Sequence, residues 1–138
     1  QRFPDKINVL GYRGRHVLHY ACHIGHLKLL KFIIGNPDFD IDFNVVDQLG
    51  NTPLHIACYR GQFEVVKVLL QNSDEKGIDV YKMNNAQETA EDIAREEGHK
   101  DIVELIKMKR YLNYFAFIPA VLARIVFMFS EWNIAIFE

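Results

Sequence analysis

The feature that most limits the folds open to this chain is that it repeats itself. "GRHVLHYACHIGHLKLLKFII" (Gly14 to Ile34) aligns without a gap on "GNTPLHIACYRGQFEVVKVLL" (Gly50 to Leu70), at an offset of 36 residues. Gly14 meets Gly50, Leu18 and His19 meet Leu54 and His55, Ala21 and Cys22 meet Ala57 and Cys58, and Gly25 meets Gly61. A third copy, "QETAEDIAREEGHKDIVELI" (Gln87 to Ile106), follows at an offset of 37. It keeps Thr89, Ala94, Gly98 and the apolar spacing of Ile102, Val103, Leu105 and Ile106, but Gln87 replaces the glycine and "TAED" replaces "TPLH". "INVLGYRG" (Ile7 to Gly14) matches "FNVVDQLG" (Phe43 to Gly50), so the first residues read as the tail of an upstream repeat. A period of this size implies stacked units that share a core only with their neighbours.

Each unit reads as two helices. Thr52 is placed to N-cap the first, with Pro53 at the first helical position where its missing N–H costs nothing. His55 stands three residues after the cap, where its ring can reach back as the acid of a capping box does. Gly61 ends this helix, and "QFEVVKVLL" supplies the apolar rows of a second one. A loop and an extended segment, "DIDFNVVD" or "IDVYKMNN", then lead into the next unit.

The literal "TPLHIA" within Gly50 to Leu70 resembles the ankyrin repeat, a family whose period is about 33 residues. The resemblance covers residues 7 to 108 and extends to Gly14–Ile34 and Gln87–Ile106. It implies an all-α, ankyrin-type helical solenoid of about three repeats, followed by an apolar C-terminal helix or pair of helices. The boundaries expected are 1–10 for the upstream tail, 11–46, 47–83 and 84–110 for the repeats, and 111–138 for the apolar segment. The longer periods place extra residues in the loops at "GNPDFD" and "QNSDEKG", where insertions disturb a stacked core least. His16 and Val17 stand where the motif has Thr and Pro, which predicts a first helix capped more weakly by ~1 kcal/mol.

The clustered Thr, His and Cys invite thoughts of catalysis, and the repeat answers them. His19 and His55 occupy the motif histidine and read as structural. Cys22 and Cys58 fall at one repeat position twice, as small core residues do, and nothing beside them argues for a reactive thiolate. His16, His23, His26 and His99 read as surface or helix-start residues whose spacing imitates no zinc signature. The acids of "QETAEDIAREEGHKD" alternate with bases, as on a solvated helix face. No phosphate loop or nucleophile elbow is present, so no enzyme activity, cofactor or metal is expected. A net charge of -2 without a dense basic run argues against nucleic acid as a partner. Two cysteines at wide spacing suggest a reducing, intracellular and cytoplasmic setting.

What remains is binding. The resemblance implies a concave surface built from loop tips and first helices, and carries the family's contact positions onto this chain. These are Tyr12, Arg13, Arg15, His23 and Ile24 in the first unit and Gln48, Leu49, Asn51, Tyr59 and Arg60 in the second. The third contributes Asn85, Ala86, Glu88, Glu96 and Glu97. Tyr12, Arg13, Tyr59 and Arg60 stand out because Tyr and Arg are enriched at interface hot spots. The drift from basic to acidic along the units favours a ligand of opposite polarity. The expected function is non-catalytic binding of another protein or subunit, as adaptor or scaffold within a larger assembly.

The alternative lies in the tail. "YLNYFAFIPAVLARIVFMF" (Tyr111 to Phe129) is 19 residues with one charge, preceded by "KMKR". It fits the first membrane segment of a channel, transporter or membrane-bound enzyme, with the repeats on the cytoplasmic side. Its Leu, Ile, Phe and Val contribute roughly -3 to -6 kcal/mol toward insertion, and a deep Arg124 takes back about 2.5 to 3.5. Asn113 and Pro119 erode the rest, and a stripe of Asn113, Ala116, Ala120 and Ala123 offers a helix-packing face instead. The same segment therefore also reads as a cap on the stack.

Overall fold

The computed structural model describes residues 9–116 and residue 124. The chain divides into two compact units, Gln1–Ile106 and Lys107–Glu138. Among the described residues there are seven α-helices and no strand: α1 (Val17–Ile24), α2 (Leu27–Gly35), α3 (Pro53–Tyr59), α4 (Phe63–Gln71), α5 (Ser73–Lys76), α6 (Ala90–Glu96) and α7 (Lys100–Ala116). A 3-10 turn at Tyr12–Gly14 precedes them. The repeats are the pairs α1–α2 and α3–α4 and the pair formed by α6 with the start of α7.

Within the first unit the first helices pack in series, α1 on α3 and α3 on α6, and α2 packs on α4 behind them. What permits the close approach is small side chains: Ala21, Ala57 and Ala94 share one repeat position and are almost wholly buried. The second helices carry the bulk of the core, with Leu30, Ile33 and Ile34 on α2, Val65, Val66, Leu69 and Leu70 on α4, and Ile102, Val103 and Ile106 on α7. Their spacing is that of one helical face. Cys22 and Cys58 are free thiols buried in this core, and burial pushes the Cys22 thiol up to about 12 and Cys58 higher still. Neither is a nucleophile at neutral pH.

Two local expectations need correction. His16 is not a surface histidine: it is only 2% exposed, and its Nδ1 accepts a hydrogen bond from the Leu18 N–H at 3.1 Å. The first helix therefore keeps a side-chain cap, supplied by an imidazole in place of a hydroxyl. The insertion "QNSDEKG" is not a plain loop either, since α5 forms one helical turn there and ends on Gly77 in the left-handed conformation. The flanking loops are tied across repeats by Asn44, which donates to the Gly77 carbonyl at 2.8 Å and accepts from the Asp79 N–H at 2.7 Å.

In the second unit the described residues are helical from 107 to 116, where the Tyr114 and Phe115 rings meet edge-on with centroids 6.0 Å apart. Among the described residues no helix is long and apolar enough to cross a membrane. The apolar segment read from the sequence, 111–129, lies outside the described residues beyond position 116, except for Arg124.

Candidate functional site

The concave side of the stack begins with the caps. His55 accepts from the Thr52 N–H at 3.0 Å and from the Thr52 hydroxyl at 2.7 Å, both through Nδ1. The proton therefore sits on Nε2, which donates to the Glu88 carbonyl of the next repeat at 3.1 Å. His19 repeats the arrangement one unit earlier, accepting from the His16 N–H at 3.0 Å and donating to the Asn51 carbonyl at 2.7 Å. Each ring fixes its own helix start to the loop of the following unit. Burial lowers the pKa of both, so they are neutral at pH 7 and their nitrogens are fully engaged. Nothing is left on either ring to bind a metal or move a proton. No group of His, Cys, Asp or Glu able to hold a metal ion occurs among the described residues.

The loop tips form a ladder above these rings. The Gln48 N–H donates to the Arg13 carbonyl, and the Asn85 N–H to the Leu49 carbonyl, each at 3.1 Å. Asp47 shapes its tip by accepting from the N–H groups of Leu49 and Asn51 at 2.9 Å. Asn84 does the same for Ala86 and Glu88, and its amide also reaches Asn51 Oδ1 at 3.0 Å and Glu88 Oε2 at 2.9 Å. The carboxylate at this position in the second repeat becomes an amide in the third, which lets Asn84 bridge two neighbours as donor and acceptor at once.

Below the tips a groove of about 300 Å³ opens between the second and third repeats. Of the positions expected to bind, Arg15, Leu49, Asn51, Tyr59, Glu88, Glu96 and Glu97 line it together. Arg13 and Gln48 line a second hollow of about 110 Å³, which Arg15 and Leu49 share. Tyr12, Ile24 and Arg60 are exposed elsewhere, with the Arg13 guanidinium 5.3 Å from the centre of the Tyr12 ring. His23 is half-buried, and its backbone carbonyl accepts from the Gln62 side chain of the next repeat at 3.1 Å. Burial first, and then the charges of Arg60 and Arg15, hold the His23 pKa below its usual value. Asn85 and Ala86 are exposed at the third tip.

Arg15 is less free than a surface contact residue. Its Nε lies 3.8 Å from the buried Asp47 carboxylate and has no hydrogen-bond partner. The groove also contains Ile56, Ile93 and Asn84, which the sequence reading missed. Their signal was in the repeat register: Ile56 and Ile93 share one position, and Asn84 aligns with Asp47. The floor is thus apolar, the tip side polar, and the third-repeat wall acidic.

A sequence profile of ankyrin repeats in three copies matches residues 18–114. No curated protein matches the chain. The paired helices, the histidine that joins each cap to the next loop, and a match over most of the sequence mean that this chain belongs to the ankyrin repeat family, whose members are in general protein–protein interaction modules.

Proposed function

We propose that this chain is a non-catalytic adaptor or scaffold that binds a partner protein through the concave side of its first unit. The observation that carries this reading is the gathering of seven of the expected contact residues around one groove, although they come from all three repeats. Tyr59 is central to it: the side chain is exposed at the end of α3, lines the groove, and offers a large rigid ring at low entropic cost. Its neighbours in the core are committed to stacking. His19 and His55 are spent on joining repeats and the cysteines on packing, so the chemistry left for solvent is recognition.

The test is capture of partners by the immobilised chain, with identification of what is retained, beside a Tyr59→Ala/Arg60→Ala variant. Both side chains are exposed, so helicity and melting should be unchanged. Proteins retained by the native chain and lost from the variant support the reading. Undiminished retention by the variant removes this face as the binding surface.

A further inference from the structure

We propose that the groove receives the side chain of a basic residue, Lys or Arg, of a partner protein. This inference rests on the concave-face reading above and specifies the chemistry of its occupant.

The third-repeat wall is negative and unneutralised. Glu88, Glu96 and Glu97 line the groove, and among the described residues none of them makes an ion pair. The nearest cation on the same helix, Arg95, is committed at 2.6 Å to Glu91 and at 3.1 Å to Asp92. Arg15, the cation that also lines the groove, is turned to Asp47 at 3.8 Å. Beside this wall Ile56, Ile93, Leu49 and Tyr59 supply apolar surface. A long side chain with an aliphatic stem and a charged head matches that sequence of environments, the stem over the floor and the head among the carboxylates. At about 300 Å³ the groove lies at the bottom of the range for small-molecule pockets, roughly 300–1,000 Å³, which suits one inserted side chain better than a whole metabolite.

A displayed random-peptide library selected on the full chain tests this. Native protein should enrich peptides with Lys or Arg. Glu96→Lys/Glu97→Lys should weaken a selected synthetic peptide by roughly tenfold or more and redirect new selections toward acidic residues. Glu96→Gln/Glu97→Gln, which alters shape least, should weaken the same peptide without reversing the preference. Enriched peptides that depend on Tyr59 but lack a basic residue, or whose basic preference survives the charge reversal, overturn this inference and leave the concave-face reading standing. Enrichment indifferent to Tyr59→Ala overturns both.

Discussion

The second and third repeats open their first helices with the same residue and then diverge. Thr52 and Thr89 are both N-caps, each accepting from the backbone three residues on, at 3.3 and 3.2 Å. The side chain that reaches back is His55 in one and Asp92 in the other. Both receive the cap's N–H, at 3.0 Å in each case, and its hydroxyl, at 2.7 Å. Only the imidazole has a second nitrogen, and it uses this to hold Glu88 of the next unit. The Asp92 carboxylate turns to Arg95 of its own helix and stays 43% exposed. The same division runs through a neighbouring position, where Cys22 and Cys58 are buried and Arg95 is exposed. A repeat with a successor builds residues that face forward, and the last repeat of the unit replaces them with residues that face water.

Removing the two side chains separates these roles. His55→Ala leaves the buried Thr52 N–H without a partner, removes the bond across to the Glu88 carbonyl, which keeps only the Asn84 N–H, and opens a void, so it should cost about 2–4 kcal/mol. Asp92→Ala loses a half-exposed cap, worth about 1 kcal/mol. His55→Asp keeps the cap and drops the bridge, so it should fall between them. Urea midpoints for the three variants decide the matter. Equal losses for His55→Ala and Asp92→Ala would show that the bond between repeats contributes nothing.

Acid should act on the repeats unequally, and the sign follows from the direction of each shift. His19 and His55 have folded pKa values below the ordinary histidine value of about 6.5, so the unfolded chain takes up their protons first. Their contribution is full above that value and is lost as pH falls from it toward the folded pKa, with a slope of at most roughly 1.4 kcal/mol per pH unit for each ring. Asp92 is also depressed, chiefly by the Thr89 hydroxyl and N–H, but for an acid this contribution is present above the unfolded value near 3.8 and disappears only below it. Hydrogen exchange between about pH 7 and pH 5 should therefore open the α1 and α3 starts before the α6 start. His55→Asp should flatten the pH dependence of the urea midpoint, and an unchanged profile would mean that these rings do not titrate with unfolding.

The stacking was legible from the sequence because it is written three times. An offset that preserves Gly, Leu, His, Ala and Cys together fixes helix register, core and chain direction without any contact being seen. What escaped was whatever departs from the repeat. His16 reads from the sequence as a weaker cap because imidazole is not among the residues usually counted as N-caps, yet its Nδ1 is an acceptor of the same kind. The turn of α5 formed in an insertion whose counterpart in the first repeat, "GNPDFD", stays non-helical beyond Gly35. Ile56 and Ile93 are buried, and they also floor a groove. Patterns of burial follow from periodicity, whereas a concavity depends on how neighbouring units lean, and that is set by many contacts at once.

Backbone conformation offers the finest comparison of the two repeats. Gly50 and Gln87 occupy equivalent positions and share a left-handed backbone, with φ of 75° and 63°. Above Gly50 sits the next tip: a Cβ there would lie 2.8 Å from the Asn85 backbone nitrogen, which cannot give way without breaking its bond to the Leu49 carbonyl. Gly50→Ala should cost about 2–3 kcal/mol, the left-handed penalty of roughly 1–2 plus the displaced tip. Gln87 is exposed, so its side chain has somewhere to go and only the conformational penalty remains. Gln87→Gly relieves that penalty but gives the unfolded chain more freedom, about 0.5–1 kcal/mol of it, leaving a net gain of roughly 0.5–1. A thermal melt resolves a shift of that size. If Gln87→Gly instead destabilised the chain, the glutamine would have to be making contacts of its own, and the third repeat would be less open at this tip than its geometry shows.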